Sequence, residues 1–163
     1  MIVVADASVL LNLAFLGQEG LLSALFGSVH VPEAVSREFI RLAATSGRFV
    51  GLTFPAMCQI TQVNGIPDQI ASDPRLDAGE SEALALALSI KADTVLLDEV
   101  AARDCASSLG IQVIGTLGLL VRAKQDGHIP LVAPLLRKLL VEGRFRASPA
   151  LVHATLKRAG ELP

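Results

Sequence analysis

Short apolar runs alternate along the chain with longer segments of mixed composition, and this pattern predicts strands that alternate with helices. The apolar runs predict strands at residues 2–5, 28–31, 94–97 and 112–114. The longer segments, several of them bounded by Gly or Pro, predict helices at residues 7–16, 33–44, 77–90, 100–109, 116–127, 131–142 and 149–159. Such units predict an α/β fold, a three-layer α/β/α sandwich with a mainly parallel sheet, with a helical C-terminal extension.

The middle of the chain has the weakest pattern. Residues 49–52 and 59–63 are both strand-like, and Pro55 between them indicates that at least one is an edge strand or an irregular connection. Residues 64–74 are rich in turn-forming residues and predict a connection. Leu and Ala alternate in the segment that follows, as they would in a strand, but strong helix formers and an Asp-x-x-Glu capping box that begins at Asp77 favour a buried helix.

Composition limits the class of protein. The chain has 163 residues, 52% of them hydrophobic and 18% charged, which favours a single domain over residues 1–163 and excludes a disordered or coiled-coil protein. No apolar run approaches the roughly 18 residues of a membrane span, and the acidic start of the chain is unlike a secretory signal, so we expect a cytoplasmic protein without a membrane partner. Cys58 and Cys105 stand alone, which predicts neither a zinc site nor a disulfide.

The net charge of −2 averages two unlike regions. Acids predominate in residues 1–116, whereas the basic helical portion at residues 117–163 has eight Lys and Arg residues and only three Asp and Glu. Six of the basic residues are Arg137, Lys138, Arg144, Arg146, Lys157 and Arg158. They form either an ordinary solvated surface or a face that binds an RNA backbone or a protein partner. Because the chain has no Trp or Tyr, base-stacking platforms are not expected.

Four acids stand where a parallel sheet would gather them. Asp6 and Asp98 directly follow predicted strands, and the carboxyl ends of parallel strands meet at one edge of a sheet. Glu80 lies in the first turn of the helix that precedes the strand leading to Asp98, and Glu38 lies in the helix after Pro32. Each acid also has a purely structural interpretation, since the first three could cap helices and Glu38 could be a solvated helix residue.

Convergence of these acids would have a chemical consequence. Carboxylates within roughly 4–6 Å of one another repel, so a cluster must take up protons or bind a cation. Hard oxygen ligands suit Mg²⁺ or Mn²⁺, and no His spacing favours zinc. Because a carboxylate-held Mg²⁺ acts on phosphate oxygens, the positions of the acids indicate phosphodiester hydrolysis.

The segments around these acids resemble the PIN-domain superfamily, and within it the VapC-like toxins. The segments that carry the resemblance are residues 4–8, 32–39, 79–83 and 96–99, followed by a glycine–threonine segment at 115–118. The resemblance implies an endoribonuclease that uses Mg²⁺ or Mn²⁺, commonly the toxin of a toxin–antitoxin pair and often a homodimer. The implied partners are an RNA substrate, a small antitoxin protein and a second copy of the chain.

The resemblance also implies roles for individual residues. Asp6, Glu80 and Asp98 would be the metal ligands, and Glu38 would complete a catalytic quartet of acids. Ser8 would support the loop that holds Asp6. These assignments come from matching the motifs of the superfamily to this sequence, residue by residue.

The chain departs from the usual VapC pattern in two places. Glu80 stands where many members have Asp, and the Asp-Phe pair that typically follows Asp98 is missing. Glu99 partly replaces the missing acid, or a second metal binds weakly. Arg103 contacts phosphate or pairs with Glu99 or another acid, and Thr116 caps a helix or helps to hold an RNA phosphate. A catalytically weak PIN-like module that binds a protein partner or RNA is therefore the second hypothesis.

Overall fold

A computed structural model of the protein describes residues 1–162. Within them, five strands form one fully parallel sheet. The strands are β1 (Val3–Ala5), β2 (Val29–Pro32), β3 (Cys58–Thr61), β4 (Thr94–Leu96) and β5 (Gln112–Ile114). Their order in the sheet is β3-β2-β1-β4-β5. The predicted α/β sandwich is confirmed, and β1 lies at the centre of the sheet.

The helices alternate with the strands as the sequence pattern predicts. They are α1 (Ala7–Phe15), α2 (Gly20–Phe26), α3 (Glu33–Thr45), α4 (Asp68–Ala71), α5 (Ala78–Ser89), α6 (Val100–Ser108), α7 (Thr116–Gln125), α8 (Ala133–Val141) and α9 (Pro149–Arg158). All residues of β1 and β4 are buried, because helices cover the faces of the sheet. The last three helices form the predicted helical C-terminal portion.

Helix α5 confirms the choice of helix over strand for the alternating Leu and Ala residues. The Asp77 carboxylate accepts a hydrogen bond from the Glu80 backbone N–H at 2.7 Å, and the Glu80 carboxylate accepts one from the Asp77 N–H at 3.1 Å. This capping box begins the helix. Because α5 contacts β1, β2, β4 and three neighbouring helices, it is buried on several sides and needs no polar stripe.

The two strand-like segments of the middle region have different outcomes, as the intervening Pro55 indicates. Residues 49–52 form an irregular connection, in which the Gly51 N–H donates to the Ala43 carbonyl at 3.0 Å and Gly51 has φ +85°, a conformation that reverses the chain after α3. The second segment forms the edge strand β3. Two helices differ from the prediction: no element is predicted at α2, and the single turn of α4 falls within the predicted connection. Gly20 at the start of α2 and the shortness of α4 left too little periodic signal.

The C-terminal portion is tied to the rest of the chain by a buried carboxylate. Glu161 accepts hydrogen bonds from the backbone N–H groups of Val132 at 2.7 Å and Ala133 at 2.8 Å, at the start of α8. It also pairs with Lys124 of α7 at 3.1 Å. Within residues 1–162, no single helix is long and apolar enough to cross a membrane; α1 and α2 meet those criteria only as a pair bent by 118°.

Candidate metal centre

The register of the central strands brings Asp6 and Asp98 to the same edge of the sheet. Ala5 of β1 pairs with Leu96 of β4, and the Asp6 N–H donates to the Leu96 carbonyl at 3.0 Å. The strands before the two acids are therefore neighbours, and their carboxyl ends meet at one edge of the sheet. Asp6 is 4% exposed and Asp98 is half-buried. Neither side chain caps the helix that follows it, so the capping interpretation of these two acids is wrong.

Four carboxylates surround the start of α5, and we call Asp6, Glu38, Asp77 and Glu80 the acidic cluster. A Cβ atom on Gly79 would lie 3.1 Å from Glu38 Oε2 and 3.5 Å from both Asp6 Oδ1 and Asp77 Oδ1. Three carboxylates from three parts of the chain thus converge on the backbone of one glycine. A side chain at this position would occupy the space between them.

The pKa values of three members of the acidic cluster, Asp6, Glu38 and Glu80, are raised, chiefly because their carboxyl groups are buried. Burial, followed by the neighbouring carboxylates, raises the pKa of Asp6 to about 8. Burial, followed by Asp77, Glu99 and Glu38, raises the pKa of Glu80 to about 7. The pKa of Glu38 is also raised, first by burial and then by Asp77. These carboxyl groups therefore favour protonation or a bound cation.

Two oxygen atoms beside the cluster lack partners. Within residues 1–162, neither Asp6 Oδ1 nor Ser8 Oγ has a hydrogen-bond partner, although both atoms are buried. A buried carboxylate oxygen without a donor is costly unless a proton or a cation meets it. Carboxylate oxygens are also the ligands that Mg²⁺ and Mn²⁺ prefer, so the donor set around Asp6 fits a divalent ion.

Asp98 has the opposite environment, because its carboxylate is fully hydrogen-bonded. Oδ1 accepts from the Thr116 N–H at 2.7 Å, and Oδ2 accepts from the Thr116 hydroxyl at 2.6 Å and from Asn12 Nδ2 at 3.2 Å. Thr116 begins α7 after Gly115, and its N–H and hydroxyl both serve Asp98. The side chain of Thr116 does not cap α7, so that part of the prediction is wrong, whereas a role beside an RNA phosphate stays a prediction.

Arg103 and Glu99 also differ in part from expectation. Within the described residues Arg103 forms no ion pair, so the predicted pairing with Glu99 or another acid is wrong. Its guanidinium instead lies against the backbone of Gly115: a Cβ there would be 2.6 Å from Arg103 Nη1 and 3.0 Å from Asp98 Oδ1. Glu99 is exposed and close enough to raise the pKa of Glu80.

One member of the acidic cluster, Glu38, shares a cavity of about 690 Å³ with Asp98. Ser8 and Glu99 also line this cavity. The structure thus brings the predicted acids to one end of the sheet but keeps Asp98 apart from the cluster. In residues 1–162 no three His, Cys, Asp or Glu side chains are already arranged around a single metal position.

Sequence reasoning missed two residues of this site. Asp77 was interpreted only as a helix cap, and its second role depends on the packing of α3 against α5. Asn12 was included in the apolar helix α1 without comment. An Asn within a run of Leu residues, 7% exposed in the fold, was the available signal, because a buried amide requires a partner.

The fold and the site define a parallel α/β protein with carboxylates gathered at the carboxyl ends of adjacent central strands. The family model of the PIN domain matches residues 2–161, so the chain belongs to the PIN-domain family. PIN domains are typically nucleases that use divalent metal ions and act on RNA. A comparison with curated proteins finds no match. Membership in the superfamily is confirmed, whereas the resemblance to VapC-like toxins stays a prediction.

Proposed function

We propose that the protein is an endoribonuclease that hydrolyses RNA phosphodiester bonds with Mg²⁺ or Mn²⁺. The observation that carries the proposal is the unpartnered oxygen of the buried Asp6, surrounded by carboxylates at the end of the central strand. Asp6, Glu80 and Asp98 would hold the ion, and Glu38 would complete the set. A divalent ion bound there would supply an activated water and stabilise charge on the reacting phosphate.

The residues around the acids have distinct tasks in this proposal. Thr116 and Asn12 fix the orientation of Asp98 through the hydrogen bonds described above, and they would hold this carboxylate in one position as a ligand of the ion. Ser8 lines the cavity with its buried hydroxyl near Asp6, where it would support the loop that holds this carboxylate. Glu99, exposed at the rim, adds negative charge near Glu80 and would reinforce cation binding.

The biological setting that we propose is the toxin of a toxin–antitoxin pair, with a small antitoxin protein as partner and a homodimer as the assembled form. The support for it is the VapC-like segments of the sequence. A cytoplasmic location stays a prediction.

The first test is RNA cleavage by carboxylate variants. Asp6→Asn and Asp98→Asn keep the shape of the side chain but remove a charged ligand, so each should lower the cleavage rate by more than the roughly 10- to 100-fold that loss of an outer-shell partner costs. The measurement is cleavage of a labelled oligoribonucleotide in Mg²⁺ and in Mn²⁺.

The matched control is Asp68→Asn. Asp68 is an exposed acid on α4 that forms no ion pair within residues 1–162, and its variant should cleave at the parental rate. Parental cleavage by Asp6→Asn or Asp98→Asn, with circular dichroism confirming the fold, would contradict the proposal.

A catalytically weak binding module is the second candidate function. It is favoured by the hydrogen bonds that already occupy both oxygens of Asp98 and by the separation of this residue from the acidic cluster. Such a module would bind RNA or a protein without cleaving RNA. Its signature would be the absence of any carboxylate-dependent Mn²⁺ uptake in calorimetry, together with no cleavage by the parent protein.

A further inference from the structure

We propose that a single RNA strand lies along two arginine-lined cavities that adjoin at Asp98, and that the connection between α8 and α9 binds its backbone. This path rests on the ribonuclease function proposed above and identifies where that substrate lies. We call residues 142–148 the α8–α9 strap. Its side chains Arg144, Phe145 and Arg146 all face the first cavity.

The two cavities form a route past the site. The first, of about 690 Å³, is the cavity already described, and its arginines are Arg48, Arg144 and Arg146. The second, of about 580 Å³, contains Arg103, Arg122, Arg146 and Arg158. Asp98, Phe145 and Arg146 line both, so the cavities meet where the site carboxylate stands. A chain that passed through both would cross Asp98 with arginines on either side.

Most of these arginines have no acidic partner. Within residues 1–162, Arg48, Arg103, Arg144, Arg146 and Arg158 form no ion pair. An exposed guanidinium with its donors unused is suited to phosphate, which it contacts through two parallel hydrogen bonds.

Two of the arginines that line these cavities lie against phenylalanine rings. The guanidinium of Arg48 stacks at 4.6 Å over the ring of Phe49, which limits its motion beside the first cavity. In the second cavity Arg122 lies 5.2 Å from the ring of Phe26 and 3.7 Å from Asp126. Phe145 lines both cavities and is half-buried, because it also packs against the hydrophobic core.

The α8–α9 strap is fixed to the body of the protein. A Cβ atom on Gly143 would lie 2.9 Å from the Leu139 carbonyl and 3.0 Å from the Phe15 ring, so only glycine permits this approach to α8 and α1. The Phe145 N–H donates to the same carbonyl at 2.9 Å. Arg144 has φ +54°, which is unusual for a residue with a side chain. The strap therefore presents its arginines from a defined backbone.

The electrostatics favour a strand of RNA over an acidic protein segment. A phosphodiester that approached the acidic cluster alone would be repelled, and the arginines that line the same cavity as Glu38 offset that repulsion. Phosphates repeat along an RNA strand, and arginines line both cavities. Arg137, Lys138 and Lys157 line neither cavity. Of the six basic residues in the C-terminal portion named above, only Arg144, Arg146 and Arg158 therefore lie on the proposed RNA path.

The test is binding without cleavage, measured as fluorescence anisotropy of a labelled single-stranded oligoribonucleotide in EDTA. Arg146→Ala and Arg103→Ala should each weaken binding about fivefold at low salt, for every sequence tested. Each should also reduce the slope of log affinity against log salt concentration by about 0.7, the value for one phosphate contact on a single strand. Arg137→Ala, an exposed arginine of α8 outside both cavities, should change neither quantity.

Several outcomes would overturn the proposed path. One is parental affinity and salt slope in both cavity variants; another is tighter binding of an RNA duplex than of the single strand. A third is a polyglutamate peptide that binds in an Arg146-dependent manner while the RNA does not, which would assign the cavities to an acidic protein partner.

Failure of the path is distinguishable from failure of the proposed function. If Asp6→Asn abolishes cleavage but the arginine variants bind RNA normally, the ribonuclease stands and the path fails. If the arginine variants weaken binding but Asp6→Asn cleaves at the parental rate, the path stands and the assigned metal site fails.

Discussion

Two carboxylates at the ends of adjacent strands have opposite environments. Asp98 accepts hydrogen bonds at both oxygens from Thr116 and Asn12, whereas Asp6 has a buried oxygen without a partner and neighbouring acids that repel it. The Asp98 half of the site is held in place by hydrogen-bond donors of the protein. The other half holds buried carboxyl groups whose raised pKa values favour a proton or a cation. The proposed metal site assigns them different tasks: the acidic cluster would attract the cation, and Asp98 would offer it a carboxylate that is already held in place.

The largest effect should be a loss of stability as pH rises. The pKa of Asp6 rises from 3.8 to about 8, and that of Glu80 rises from 4.5 to about 7. Groups with a pKa that is higher in the folded state contribute their full stability at low pH and lose it as pH rises through the folded value. In EDTA, the free energy of unfolding should therefore fall by on the order of a few kcal/mol between about pH 4 and pH 8.

Urea denaturation at a series of pH values measures this effect. Asp6→Asn, which cannot ionise at that position, should have a flatter pH profile than the parent. Added Mn²⁺ should restore the parent at the upper end of the range, because an ion that binds only the folded state stabilises it. Equal pH profiles for the parent and Asp6→Asn would show that the pKa of Asp6 is not raised in the folded protein. This result would contradict the different environments described for Asp6 and Asp98.

A smaller effect should follow from filling the space between the clustered acids. In Gly79→Ala the new methyl group would lie 3.1 Å from Glu38 Oε2, and overpacking of this kind typically costs about 1–3 kcal/mol. Gly118→Ala is the matched control within α7, where the nearest atom is Ile114 Cγ2 at 3.6 Å and the gain in helix propensity is roughly 0.5–1 kcal/mol. Thermal unfolding should show opposite signs for the two variants; stabilisation by both would mean that the carboxylates do not converge at Gly79.

The smallest effects should come from the donors to Asp98. Thr116→Val removes the 2.6 Å hydrogen bond and should cost about 1–2 kcal/mol, and Asn12→Ala removes the 3.2 Å hydrogen bond and should cost about 0.5–1.5 kcal/mol. Both variants should slow RNA cleavage by roughly 10- to 100-fold, because Asp98 loses its orientation. Thr45→Val removes an exposed hydroxyl bond to Arg41 and should leave cleavage unchanged. Normal cleavage by Thr116→Val would show that the function of Asp98 does not depend on the hydrogen bond from the Thr116 hydroxyl.

The features that the sequence revealed are those with a local physical cause. The capping box at Asp77 and the strong helix formers after it predict α5, and β-branched runs predict the central strands. The position of an acid directly after a strand is also local, so Asp6 and Asp98 were identified. The fold then follows, because strands that alternate with helices form a parallel sheet.

The features that the sequence concealed depend on packing between distant segments. Asp77 caps α5, and this role can be predicted from the local sequence. Its place in the acidic cluster depends on the packing of α3 against α5. The hydrogen bonds from Thr116 to Asp98 join residues 18 positions apart, and no local rule separates them from ordinary capping. The strand-like composition of residues 49–52 left open whether they form a strand or an irregular connection, and the positive φ of Gly51 decides for the connection.

The most direct test of the central claim is calorimetric titration of Mn²⁺ into the parent and into Asp6→Asn at about pH 7. We predict saturable uptake by the parent, with release of protons from the cluster that appears as a dependence of the measured heat on the buffer. Asp6→Asn should lose this uptake, whereas Asp68→Asn should keep it. Equal Mn²⁺ uptake by the parent and Asp6→Asn would contradict the assignment of the acidic cluster as a metal centre.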